Sequence, residues 1–305
     1  LVGSEMCIRD RNRKIDYKIN ENDTGKTVEG FLKERGYTHQ VLVRLKQTDH
    51  GILRNGIWAY TNERLCKDDL ITVQIVENEC SDNIAPVNLP LDIAYEDDDI
   101  IVINKPFDMP AHPSAGNHDN TLANALMYYY GSQNKPFVYR CINRLDRDTT
   151  GLTIVAKHAL AGGILGNAVA KRAIHRTYYA VCSGCTPACM RISAPIARKD
   201  ASTIERCVDF KRGENAVTDF IRIKYNPDNN LSLVKLRLLT GRTHQIRVHM
   251  KYIGFPLIGD FLYNPDYTYI SRQALHSGRL VFTHPVTGQK MNLISDIPSD
   301  MKSLF

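Results

Sequence analysis

Arg144-Leu145-Asp146-Arg147-Asp148-Thr149-Thr150-Gly151-Leu152 sets one carboxylate between two arginines, then turns through a short polar stretch into the apolar run 152–156. A lone aspartate, with an ordinary pKa of about 3.9, is ionised at neutral pH. Flanking guanidinium groups keep it ionised and also attract polyanions. The stretch therefore suits an aspartate that works on a phosphate-bearing substrate.

The surrounding chain has 305 residues, room for one large domain or for one plus a small appendage. Its 43% hydrophobic and 24% charged residues are ordinary for a soluble protein. No apolar run approaches the roughly 18 residues needed to span a bilayer. The N-terminus lacks the layout of a secretory signal, so a cytoplasmic protein with no membrane partner is expected. The net charge of +6 says little by itself. Its distribution says more. Arg144, Arg147, Lys157, Lys171 and Arg172 crowd the interval from Arg140 to Arg176, opposed by Asp146 and Asp148, and a second cluster holds Arg242, Arg247 and Lys251. Either cluster alone reads as solvated surface, but both coincide with motifs, which points to nucleic acid. Eight cysteines include Cys182, Cys185 and Cys189. No second pair lies at a matching distance, so reduced, mostly buried thiols are expected rather than a metal.

Residues 1–16 lack periodicity at their start and are expected to be a disordered extension. Residues 17–79 form a compact block. Thr27 suits a helix N-cap, followed by Val28, Phe31 and Leu32 at helical spacing and a stop at Gly36. A second helix is predicted over 40–47, a strand pair around Asn55-Gly56, and an alternating strand over 70–76. Two helices followed by a small sheet around Arg54-Asn55-Gly56 resemble the alpha-L RNA-binding domain, with an unrelated small α+β domain as the alternative. Residues 80–91, rich in Ser, Asp, Asn and Pro, read as a linker. In the larger domain, 92–305, helices are predicted over 122–130 and 159–173. Strands are predicted over 100–103, 177–181, 217–224, 231–239, 245–250 and 279–283. The expected class is α+β, a mixed and mostly antiparallel sheet with peripheral helices.

The opening stretch closely resembles the signature loop of RluA-type pseudouridine synthases, usually H-R-L-D-x-x-T-S-G. Asn143 stands where that family usually has His, and Thr150 where it has Ser. Further segments match in the same order: Y-E-D-D-D-I-I-V-I-N-K-P-F-D-M-P-A-H-P-S over 95–114, Arg176-Thr177-Tyr178-Tyr179-Ala180, and L-T-G-R-T-H-Q-I-R-V-H over 239–249. Residues 254–260 and 275–285 complete a resemblance that covers about 92–298. It implies isomerisation of uridine in RNA, with no cofactor and no metal.

That reaction breaks a glycosidic bond, turns the base and rejoins it through carbon. A carboxylate can attack or stabilise sugar or base covalently, as Asp and Glu do in other glycosyl chemistry. The resemblance assigns this to Asp146, leaving open whether it attacks sugar or base or abstracts a proton. A stacked base must first be flipped out, at a cost of a few kcal/mol. The resemblance has Arg144 fill the vacated space, since a guanidinium can stack on bases and contact phosphate. It sets Tyr178 against the target base and pairs Arg247 with the carboxylate. Arg242, His244 and Gln245 are expected either to face RNA or to brace the site. Asp148 is expected to cap the turn. His244 and His249 lie on a basic segment, which makes a poor metal site.

Large-subunit ribosomal RNA is the first substrate expected, with transfer RNA as the alternative and a monomer as the working state. Two other readings compete. A catalytically silent RNA-binding protein of the same fold is disfavoured by the joint presence of Asp146, Tyr178 and Arg247. A hydrolase of phosphorylated small molecules would want a phosphate-cradling glycine loop, and neither G-x-x-x-x-G-K-[ST] nor G-x-G-x-x-G opening a helix occurs.

Overall fold

The computed structural model describes residues 11–114, 116–200 and 204–305. Its first unit contains β1 (Arg11–Lys18), α1 (Val28–Glu34), α2 (His39–Gln47), β2 (Ile52–Arg54), β3 (Ile57–Trp58) and β4 (Leu70–Glu77). Thr27 and Thr38 cap the two helices, each accepting a hydrogen bond from a backbone N–H three residues on. Asn55 and Gly56 both take positive φ, 53° and 83°, the tight turn that β2 and β3 need to keep their twist. The sheet order is β1-β4-β2-β3, antiparallel throughout.

The expected extension over 1–16 needs correction from residue 11 onward, because β1 pairs with β4 along its whole length. Ile15 packs in the core with Tyr17 against it, while Asn12, Lys14, Asp16 and Lys18 face solvent. A two-residue period with a single strongly apolar member is easily taken for a polar tail. Residues 1–10 of that expectation lie outside the described residues.

The second unit begins with β5 (Ile93–Glu96), β6 (Ile100–Lys105), α3 (Leu122–Gly131), β7 (Arg140–Cys141), β8 (Thr150–Ala156) and α4 (Ala159–Ala170). It continues with β9 (His175–Ser183), β10 (Cys189–Ser193), the hairpin β11 (Ile196–Arg198) and β12 (Arg206–Val208), β13 (Val217–Asn226) and β14 (Leu231–Leu238). It ends with α5 (Gln245–Tyr252), β15 (Leu275–Thr283), β16 (Lys290–Ile294) and α6 (Ser299–Lys302). The large sheet runs β10-β13-β14-β9-β15-β8-β6-β5, with β16 on β15 and β7 on β8. All pairings are antiparallel except β8 with β15, as expected of a mixed, mostly antiparallel α+β sheet. Every residue of β8 is buried. Gly151 at its start has φ +107°, and a Cβ there would come within 2.3 Å of the Ser277 carbonyl oxygen, so the close approach of β15 requires glycine.

The first unit is docked on the second. Leu160 belongs to the N-terminal core, with Ala159, Ile164 and Val286 packed against it. Glu77 accepts the Ala159 N–H at the start of α4 (2.7 Å) and the Arg140 guanidinium (2.8 Å). Arg13 donates twice to Asp99, which also meets His158. The segment 80–91 is pinned along α3: Asn124 donates to the Ala85 carbonyl, Ser81 bonds Phe137 and Tyr139, and Ile84, Leu89 and Leu91 pack on the α3 core.

The strand expected over 245–250 is the helix α5. Ile246, Val248 and Met250 alternate with polar residues, which mimics a half-buried strand. All six residues are buried, because each intervening polar side chain is satisfied internally. The cysteines also differ from expectation. Cys182 is buried, but Cys66, Cys80, Cys185 and Cys189 are exposed; all seven described thiols are free.

Candidate active site

The loop between β7 and β8 is held from four sides. Leu145 is buried among Tyr178, Ile246 and Leu275, which turns Arg144 outward and Asp146 toward α5. Asn143 accepts the Ile154 N–H and donates to the Leu152 carbonyl, so the amide in the usual histidine position fastens the loop to β8. Thr149 accepts from Gln273, and Thr150 meets His276 Nδ1 at 2.9 Å. The buried Lys105 ammonium donates to the Arg147 carbonyl at 2.8 Å; burial pulls this amine down to about 7.

Asp146 is partly exposed, and Arg247 Nη1 donates to its Oδ2 at 2.9 Å. His244 Nε2 lies 3.9 Å from the same oxygen, with Nδ1 against the Tyr263 hydroxyl at 3.0 Å. Burial lowers the His244 pKa despite the opposing charge of Asp146, which favours a neutral ring. His244 takes φ +58° at the entry to α5, a left-handed conformation that histidine tolerates better than most side chains.

These groups open onto a cavity of about 1050 Å³ that runs from Pro110 and His112 past the loop to the end of α4 and the start of β9. Seven arginines and three histidines line it, against a single carboxylate, that of Asp146. The guanidinium groups of Arg144, Arg172, Arg176 and Arg237 make no hydrogen bond or ion pair among the described residues, so their charge is free for a ligand. The Tyr178 side chain lines the same wall, nearly buried, and its hydroxyl has no partner there either. Arg242 is at the rim, paired with Glu214. Gln245 lines the cavity but its amide is taken up in bracing: it accepts from Thr240 and the Arg242 N–H and donates to Val217 and Thr218. Asp148 does not cap the turn; it takes the Arg147 guanidinium at 3.0 Å.

Among the described residues, Asp97, Asp99 and His284 bring their ligand atoms within 4.8 Å of one another. Asp99 is already taken by Arg13 and His158, and His284 sits on Asp97, so the trio reads as an ion network between the two units.

A family model described as RNA pseudouridylate synthase matches residues 99–252, the stretch that supplies Asp146, Tyr178 and Arg247. The chain belongs to that family, in its RluA-type branch. It is 38% identical over 281 residues to the RNA pseudouridine synthase YjbO of Bacillus subtilis (strain 168), covering 92% of this chain and 98% of the relative. It is 41% identical to the ribosomal large subunit pseudouridine synthase D of Haemophilus influenzae over 245 residues, 76% of this chain and 75% of the relative. Among solved structures, the human RNA Pseudouridylate Synthase Domain Containing 1 superposes with a TM-score of 0.58 at 26% identity, covering 68% of this chain and 83% of that one. The protein is thus a pseudouridine synthase, an isomerase acting on RNA.

In this synthase the loop motif brings Arg144 and Asp146 to the cleft and the G-R-T-H-Q-I-R segment brings His244 and Arg247, as the sequence suggested. Sequence reasoning missed Asp260, which holds Arg247 from behind through Oδ2 and Oδ1 at 2.7 and 2.8 Å. It also passed over Arg237, which sits mid-strand among alternating polar residues.

Proposed function

We propose that this synthase isomerises uridine in large-subunit ribosomal RNA, with Asp146 as the reacting carboxylate. The observation that carries the reading is the charge of the cleft. One carboxylate stands in a wall of arginine and histidine, held by a buried guanidinium. Similarity to synthases named for the large ribosomal subunit supports the substrate.

Conversion to pseudouridine breaks the bond from C1′ to N1 and forms one from C1′ to C5. C5 loses a proton and N1 gains one, so no net redox change occurs. The free arginines would draw the phosphate backbone into the cleft, where electrostatic attraction supplies affinity without reading sequence. Arg144, exposed and unpaired, is suited to fill the gap in the base stack after flipping. Asp146 then acts on the detached or detaching sugar and base while Arg247 holds its rotamer and charge. The Tyr178 hydroxyl and the neutral His244 ring are available for proton transfer. The docked N-terminal unit would add RNA contacts; Ile57 and Trp58 of β3 and Tyr60 just after it are exposed.

Mapping pseudouridine in total RNA from cells with and without the chain tests the substrate. A site lost from large-subunit ribosomal RNA is expected, and loss confined to transfer RNA would overturn that part. For Asp146→Asn, RNA binding and folding should persist while isomerisation falls below detection. Turnover by this variant on a verified substrate would refute the assigned role.

A further inference from the structure

Arg247 is the residue that touches Asp146, yet two of its three described side-chain hydrogen bonds go elsewhere. Nε and Nη2 both donate to Asp260, and only Nη1 reaches Asp146. Arg247 is 1% exposed and Asp260 is fully buried. A buried guanidinium whose acid partner is lost is strongly disfavoured, so Asp260 is what allows Arg247 to sit there.

Asp260 is itself rigid. Its Oδ1 also accepts the N–H groups of Leu262 and Tyr263, at 3.1 and 3.2 Å. The preceding Gly259 has φ +66°, and a Cβ on it would fall 2.1 Å from the Arg272 carbonyl oxygen, which fixes the backbone leading into Asp260. The rings of Phe261 and Tyr263 lie 5.4 and 5.0 Å from the Arg247 guanidinium, a distance suited to cation–π contact. The guanidinium therefore has one orientation, set from the side away from the cleft. Asp260 does not line the cavity.

We propose that Asp260 is a positioning residue that orients Arg247, and through it the Asp146 carboxylate, for isomerisation. Its charge also offsets that of Arg247, so Asp146 faces a bound pair rather than a lone cation. This inference rests on Asp146 being the reacting group.

The test compares Asp260→Asn, Arg247→Lys, the double variant and Asp146→Asn on one verified RNA substrate, well below each variant's melting temperature. Asp260→Asn is expected to lower kcat roughly 100-fold, as a small misplacement of a reacting group does, with KM within twofold of the parent. The double variant should be no slower than Arg247→Lys alone, because both changes act through one guanidinium. A kcat within twofold of the parent, a loss carried by KM, or a double variant that multiplies the two single effects would overturn the proposal. If Asp146→Asn turns over, the reading beneath it falls instead; an inactive Asp146→Asn beside a normal Asp260→Asn removes the proposal alone.

Discussion

Two arginines flank Asp146 in the chain, and neither is the one that meets its carboxylate. Arg144 points to the cleft, Arg147 pairs with Asp148, and the partner is Arg247, 101 residues further on. The chemistry of the loop could be read from its residue types, whereas its charge partner was named only by the family resemblance, since ion pairing depends on distance in space rather than on spacing in the chain. The buried histidines carry a consequence of the same kind. His276 meets Thr150 through Nδ1 and the Ser295 carbonyl through Nε2, so Nε2 carries a proton. Burial pulls its pKa from 6.5 to about 4. In that interval the unfolded chain binds the proton and the folded protein does not. Stability is therefore full above pH 6.5 and is lost as pH falls toward 4, by on the order of 3 kcal/mol for this ring. Chemical denaturation at a series of pH values should show that decline. In His276→Gln the decline should be shallower; an unchanged slope would mean the ring does not stay neutral.

At the level of elements, local signals served well. The Thr27 cap, the Asn55-Gly56 turn and the alternation of β4 each depend on residues a few positions apart, and each forms as expected. Helix α5 did not, because its alternation of apolar and polar residues is the same on paper whether the polar ones are solvated or internally bonded. The start of α4 shows a different dependence. Its first N–H is capped by Glu77 from the other unit, and Glu77 is 3% exposed with Arg140 as its ion partner. Glu77→Ala leaves a partly buried guanidinium without its acid partner and a helix N–H unsatisfied. Unfolding by urea should show a loss of about 3 kcal/mol, whereas Lys18→Ala, which breaks the exposed pair with Asp68, should cost at most about 0.5 kcal/mol. Equal effects would show that the Glu77 contacts are not formed in solution.

Across the whole molecule, the docked N-terminal unit and α4 form one contact that leads from β1 toward the cleft, where Val169, Ala170 and Arg172 line the wall. The free arginines along that wall predict salt-sensitive RNA binding. A plot of log affinity against log salt should have a negative slope, and Arg172→Ala should make it shallower by roughly one. An unchanged slope would place Arg172 off the path of the RNA. The sequence by itself determined the α+β class, most helix and strand positions and the family resemblance, and it singled out Asp146 as the candidate carboxylate. These follow from hydrophobic period, caps and motif order, all of which act over short stretches of chain. Only the tertiary structure decided that β1 belongs to the fold, that 245–250 is helical, that the two units are joined through buried charges, and that Asp260 stands behind Arg247. Each of those is a long-range pairing, and a buried polar group is stable only where packing delivers its partner.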